Sequence, residues 1–323
     1  MPWATVGTAR CGASSPPTTR RSGAPSPPLP EHPLNTPRGQ WPGVRKPLAD
    51  SPASFREAPM NIVVLVKQTP DTAANLTVDA SGRVSWGDAP LIVNPWDEFA
   101  IEESLRLKEK FGGKVAAITM GPESAKEALK QAVAMGCDEA ILLHDPAFEG
   151  SDAVVTATIL AAAVRKLGAV DLVFMGKESV DGNSAQVPPA LARRLGWPLL
   201  AYVGKIREVD PAGRSIVVER ILEEGRQVVR APLPAVLSAM QMNEPRYPSF
   251  MGIRKAARMA IPIWTAADLG LAPDQVGAAA SAARWPAIFA PPKPEVRCEF
   301  IQGESPEEIA RILVDRLLAE KVL

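Results

Sequence analysis

Short apolar runs alternate with stretches of helical spacing through the middle of the chain. Ile62–Val66 is wholly apolar and rich in β-branched residues, the pattern of a strand covered on both faces. Lys114–Met120, Glu139–Leu143 and Asp171–Met175 repeat that pattern at intervals long enough for a helix between each pair. Asn94-Pro95-Trp96-Asp97-Glu98 starts the first helix, with Asn94 or Asp97 as its cap, an imperfect stripe of Phe99, Ile101, Leu105 and Leu107, and Gly112-Gly113 as its end. Gly121-Pro122-Glu123-Ser124 opens the second, which runs to about Met135 and buries Ala125, Leu129, Ala132 and Val133. Ser151-Asp152 caps the third, through Lys166; the fourth, Ala190–Leu195, takes Asn183 or Ser184 as cap and stops at Gly196. Lys67–Asp71 reads as a polar loop and Val78–Trp86 as a small hairpin. Strands alternating with helices predict an α/β fold with a parallel, doubly wound sheet. Ligands then bind at the carboxyl ends of the strands, and the loops at Lys67, Met120, His144 and Gly176 share one rim.

From Tyr202 the pattern changes. Val203–Val209 and Ser215–Ile221, joined through Asp210-Pro211-Ala212-Gly213, form an added β-hairpin region, followed by extended runs at Gln227–Arg230 and Ala235–Met240. A basic stretch (Arg254, Lys255, Arg258) and an Ala- and Pro-rich stretch around Gly277–Pro294 form a long arm. It ends in an amphipathic helix from Ser305 to about Lys321, of the kind that docks on its own domain or on a partner. Residues 1–59, dense in Pro, Ser, Thr and Arg and without apolar periodicity, are expected to be disordered. An upstream start, with the working protein beginning at Met60, is preferred over a flexible tail or a transit peptide, which the prolines oppose. The expected division is 1–59 extension, 60–240 α/β domain, and 241–323 loop, arm and terminal helix.

Thirty-six basic residues balance 36 acidic ones in 323, so charge gives no argument for nucleic acid or a membrane surface. No apolar run is long enough to insert in a membrane. Cys11, Cys137 and Cys298 are far apart, suggesting neither a disulfide framework nor a zinc site. With His32 and His144 the only histidines, a histidine-rich metal centre is excluded, and His144 reads as a strand-end residue rather than a base.

The stretch Gly176-Lys177-Glu178-Ser179-Val180-Asp181-Gly182-Asn183-Ser184-Ala185-Gln186-Val187-Pro188-Pro189 is the candidate site. Strand, small polar loop and helix together aim free N–H groups and a positive helix end at an anion. An ordinary β–α connection would read the same way, and neither the Walker pattern nor G-x-G-x-x-G is present. Lys177 is either a phosphate contact or a solvated charge. Trp86, Trp96, Trp197, Trp264 and Trp285 read as packing or interface residues rather than as stacking contacts for a ligand ring.

Three segments carry a family resemblance: Asn94–Glu103 with Arg106–Lys110; the Gly176–Pro189 loop; and Val218-Glu219-Arg220 through Glu223-Glu224-Gly225, Gln227, Val229 and Pro234-Ala235-Val236-Leu237-Ser238. Asn243-Glu244-Pro245-Arg246-Tyr247-Pro248-Ser249 follows. Together, from about Met60 to Pro262, they resemble the β (small) subunit of electron transfer flavoproteins. The resemblance implies a sheet of the adenine-nucleotide-binding type, a heterodimer with an α subunit that carries FAD, and electron carriage rather than bond-making chemistry. It implies nucleotide contacts at Leu65, Asn94, Pro95, Trp96, Asp97, Met120 and 176–187, with phosphate held by loop amides, Ser184 and Gln186, and adenine covered by Leu65 and Met120. Members hold AMP, or a second FAD in the electron-bifurcating type. Asp181-Gly182-Asn183-Ser184-Ala185-Gln186-Val187 is closer to the bifurcating form, and Gly182 removes bulk and charge beside a diphosphate, so FAD is expected and AMP is the alternative. Pro188 and Asn183 depart from that form. Ile221 stands where some AMP-type members have a glutamate that assists electron transfer.

The resemblance also implies docking to acyl-CoA or related dehydrogenases through Phe250, flanked by Met251 and preceded by Arg246 and Tyr247, with a quinone reductase or other acceptor downstream. A bacterial, cytoplasmic setting is expected over the mitochondrial matrix. The rivals are a stand-alone adenine-nucleotide-binding regulator, which has no need of the Val218–Ser238 segment or the arm, and an ATP-using enzyme, for which no nucleophile or metal carboxylates are found.

Overall fold

The computed structural model describes residues 59–292 and 298–322. Apart from Pro59, the expected disorder of 1–59 falls outside them. The strands are β1 (Met60–Leu65), β2 (Gln68–Pro70), β3 (Thr77–Val78), β4 (Val84–Ser85), β5 (Leu91–Val93), β6 (Gly113–Met120), β7 (Glu139–Leu143), β8 (Leu172–Gly176), β9 (Leu199–Asp210), β10 (Ser215–Leu222), β11 (Gly225–Pro232), β12 (Ala235–Ala239) and β13 (Ile263–Trp264). The helices are α1 (Pro95–Phe111), α2 (Lys126–Met135), α3 (Ala153–Leu167), α4 (Val187–Leu195), α5 (Phe250–Arg258), α6 (Gly277–Ala280) and α7 (Pro306–Ala319).

Nine strands make one sheet in the order β11-β10-β9-β12-β8-β1-β6-β7-β13. From β12 to β13 neighbours run parallel, as the apolar runs require. Side chains along β1 alternate between faces. Ile62 and Val64 join a core with α1, α2 and α5, whereas Val63 and Leu65 join a core with α3 and α4. The chain moves outward from β1 through β6 to β7, then returns to the other side of β1 at β8. That reversal opens a crevice beyond the carboxyl ends of β1, β6 and β8.

Two expectations need correction. Gln68–Pro70 is not loop but a strand paired antiparallel with Leu91–Val93, a partner more than 20 residues away. The hairpin expected from Val203 is present and is continuous with the main sheet: β9 pairs parallel with β12 over Leu199–Val203 and antiparallel with β10 from Val203 to Asp210. Tyr202 takes a left-handed φ of 56° at the crossover, and its N–H is satisfied by the Ser238 hydroxyl at 3.0 Å. α4 begins at Val187 rather than Ala190, with Gln186 in the cap position and no side-chain cap, so neither Asn183 nor Ser184 performs that role. The Val78–Trp86 hairpin is present as β3–β4.

Candidate functional site

β8 ends at Gly176, and residues 177–186 cross the top of the sheet before α4 starts. Asn183 (φ 45°) and Ala185 (φ 51°) both lie in the left-handed region; asparagine tolerates this, and alanine pays for it. The two reversals leave a run of main-chain donors. Among the described residues, the amides of Ser184, Ala185, Gln186 and Val187 make no hydrogen bond, while those of Gly182 and Asn183 turn back to the Ser179 carbonyl. Pro188 and Pro189 bring no N–H to the first turn, so the donors at this positive helix end are concentrated in 184–187.

The first turn of α1 fixes this loop. Asn94 donates to the Glu178 carbonyl at 2.9 Å and accepts from the Val180 amide at 3.1 Å, so its side chain is spent across the cleft rather than capping α1. Asp97 likewise staples two strand ends: one carboxylate oxygen accepts the Lys67 amide and the other the Gly176 amide, both at 2.8 Å. Burial pushes the Asp97 carboxyl up to about 7, against the opposing pull of the amides of Gly176 and Lys67. A methyl at Gly176 would lie 2.5 Å from the Trp96 Cβ and 2.6 Å from the Asp97 carboxylate, so only glycine allows α1 this close to β8.

Beside the loop is a cleft of about 480 Å³. The site residues Leu65, Asn94, Asp97, Met120, Gly176, Glu178, Ser179, Gly182, Asn183, Ser184, Ala185, Gln186 and Val187 all line it. Pro95, Trp96, Lys177, Val180 and Asp181 do not. Trp96 lies behind Gly176 and beneath the Lys177 ammonium, 4.5 Å from its ring centre. Lys177 also pairs with Glu178 at 2.8 Å, so its ammonium is held at the loop rather than loose in solvent. Val180 and Asp181 face a neighbouring hollow of about 320 Å³, lined also by Trp86, Leu91 and Met120. The Lys67 ammonium, 2.7 Å from Asp181, stands where the two spaces meet. His144 follows β7 on the same rim, its ring 3.0 Å from the Gly121 carbonyl, but it lines neither space.

The far wall went unread in the sequence. Asp152, Ala153, Thr156 and Leu160 on α3, with Ala283 and Trp285 from the arm, complete the cleft. Thr156 carries a buried hydroxyl with no partner in the protein, an unsatisfied polar group on the cleft wall. Only the cap signal at Ser151-Asp152 hinted at this wall. The approach of the arm depends on pairing between residues some 130 positions apart.

Away from the cleft, Phe250 and Met251 occupy the first turn of α5, not a loop, and are 74% and 69% exposed. Tyr247 and Ile253 are exposed beside them. Arg246 is turned the other way. Its guanidinium bonds Glu102 and Glu109 on α1, whose carboxylates raise its pKa further. Asn243 bonds Glu103 at 2.6 Å. The segment before α5 is therefore fastened to α1, which explains the imperfect apolar stripe: one flank of that helix binds this segment through buried acids. α7 has no buried residue and exposes Leu313, Val314 and Leu318.

Among the described residues no helix is long and apolar enough to cross a membrane, and no acidic, histidine or cysteine cluster could hold a metal. Residues 87–269 match the electron transfer flavoprotein domain. The chain is 40% identical to the electron transfer flavoprotein subunit beta of Thermoanaerobacterium thermosaccharolyticum, over 82% of this chain and 100% of that protein. It is 38% identical to the caffeyl-CoA reductase-Etf complex subunit CarD of Acetobacterium woodii, with the same coverage. It is 37% identical to protein FixA of Azotobacter vinelandii, over 81% of this chain and 95% of that one.

Proposed function

The chain belongs to the electron transfer flavoprotein family, among its β subunits, and from that premise we propose that the cleft holds the adenylate half of FAD. Electron transfer is its role, and an α subunit is the partner the family implies. The observation that carries the nucleotide reading is the unpaired amide run at 184–187 on a cleft wall. Such a row at a helix N-terminus binds phosphate without a charged side chain. Leu65, Ile118 and Met120 give apolar cover, while Ser184, Gln186 and the Thr156 hydroxyl are within the same walls to take polar groups.

FAD is favoured over AMP on two grounds. Gly182 places no carboxylate beside the phosphates, and the acid before it, Asp181, faces the neighbouring hollow and is paired with Lys67. The second hollow adjoins the first across Lys67 and Met120, giving room beyond an adenylate that AMP would leave unused. FAD supplies the redox-active ring; the chain supplies phosphate binding, cover and orientation. An FAD here is the arrangement of a bifurcating complex. Phe250 and Met251 fit a docking anchor for an acyl-CoA or related dehydrogenase, with Tyr247 beside them. The exposed face of α7 fits the α subunit better than it fits a stand-alone regulator. A cytoplasmic setting fits the bacterial relatives.

Co-expression with the large subunit, followed by extraction of nucleotides, tests the reading. Two flavins per heterodimer is the expected result. One flavin with one AMP would select the alternative occupant, and a single flavin with no second nucleotide would sink the cleft assignment.

A further inference from the structure

The arm that follows α5 does not hang free. It returns to α3 and is fastened there by one carboxylate. Asp152 caps α3 with one oxygen, accepting Val154 and Val155 amides at 3.0 and 2.8 Å; its other oxygen accepts Ala282 and Ala283 amides at 2.9 and 3.1 Å. The Ser281 hydroxyl accepts the Asp152 amide at 2.8 Å and lies 2.9 Å from the carbonyls of Gly150 and Gly277. The Gly277 amide donates to the Ser151 hydroxyl at 3.1 Å. A Cβ on Gly277 would meet the Ala147 carbonyl oxygen at 2.3 Å, so the arm is seated in direct backbone contact.

Two residues beyond this fastening, Trp285 lines the cleft while remaining 55% exposed. An indole left half in water beside an apolar space is incompletely covered on its own chain. The amides of 184–187 line the same cleft, and Thr156, on the α3 wall with Trp285, adds its unpartnered hydroxyl.

We propose that residues 281–285 form a strap over the cleft, and that Trp285 covers a flat heteroaromatic ring of the bound nucleotide. The inference rests on the nucleotide reading above. Asp152 acts through the strap and is a positioning residue; Trp285 is the contact. The carboxylate is specific to this task because four N–H groups converge on its two oxygens. An amide at this position has one acceptor oxygen and must abandon either the α3 cap or the strap.

The test uses the co-purified heterodimer with its native nucleotide, diluted into excess competing free nucleotide so that dissociation is timed. Trp285→Ala is expected to speed dissociation roughly 10- to 100-fold, the range of losing one aromatic stacking partner, and Trp285→Phe to restore most of the retention. Asp152→Asn is expected to speed dissociation and, in limited proteolysis, to expose the chain near Ala282–Arg284 while Trp285→Ala does not. Flavin fluorescence identifies the ring: brightening in Trp285→Ala places the indole against the flavin, and faster release at unchanged brightness places it against adenine. Unchanged dissociation in Trp285→Ala would overturn the proposal, as would loss of heterodimer with an unaltered release rate, which would assign the indole to the subunit interface. A wild-type complex lacking nucleotide beyond the α-subunit flavin would remove the nucleotide reading itself, whereas normal occupancy with an inert Trp285 removes only the strap.

Discussion

Replacing Asp97 by asparagine separates the two things its carboxyl does. Each oxygen accepts one buried main-chain amide, from Lys67 and from Gly176. Asparagine keeps one acceptor and turns an NH₂ toward the other amide, a loss of about 1–3 kcal/mol for the group left unsatisfied. The aspartate carries a cost of its own. Its carboxyl titrates at about 7 in the folded chain, because burial disfavours the charged form, and near 3.9 when unfolded. Between those values the folded chain holds a proton that the unfolded chain has released. Stability therefore falls as pH rises from about 4 to 7 and is level above. At about 1.4 kcal/mol per pH unit, the wild type loses about 3 kcal/mol between pH 5 and pH 8 that the asparagine variant does not. Urea unfolding of both chains across this range, followed by tryptophan fluorescence, reads the difference directly. The wild-type advantage at pH 5 is expected to shrink to zero or reverse by pH 8. Parallel stability curves would refute the reasoning, because they would mean that Asp97 does not change its charge on folding in that window.

Gly176→Ala forces a methyl onto Trp96 and Asp97 and should cost about 1–3 kcal/mol, with loss of bound nucleotide measurable in the purified complex; a variant of unchanged stability would mean α1 is not tightly seated. Arg246→Ala leaves the buried Glu102 without its guanidinium and should cost about 1–3 kcal/mol in urea, at unaltered affinity of the cleft for nucleotide, so equal unfolding midpoints would contradict the tether. Phe250→Ala should weaken dehydrogenase docking by about 2 kcal/mol, read as a rise of roughly 30-fold in the carrier concentration needed for half-maximal electron transfer. Nucleotide content and thermal stability should stay as they were, and unaltered transfer kinetics would count against Phe250 as the anchor.

The alternating layer was legible because each central parallel strand is a largely apolar run and each of the first four helices is closed by a glycine. The loop between β8 and α4 was legible for a related reason: small polar residues ahead of Pro188-Pro189 can do little else. What escaped were features decided by distant partners. Gln68–Pro70 has no strand signature until Leu91–Val93 lies beside it. Asn94 and Asp97 look like cap residues locally, yet their side chains are committed to residues some 80 positions on. Asp152 announced a helix cap and gave no sign that the same carboxylate would also receive Ala282 and Ala283. Trp285 was indistinguishable in sequence from the packing tryptophans, because nothing near it says which way the arm turns.

Strand β9 has a mechanical consequence. Its first residues are bonded to the buried sheet and its last to the outlying antiparallel ribbon, so a load applied to the ribbon is delivered to β12 in shear rather than lost at a joint. The last carbonyl of β12, that of Ala239, in turn holds the Lys177 amide at the root of the loop between β8 and α4. A subunit leaning on the ribbon would thus pull on the loop through main-chain bonds alone.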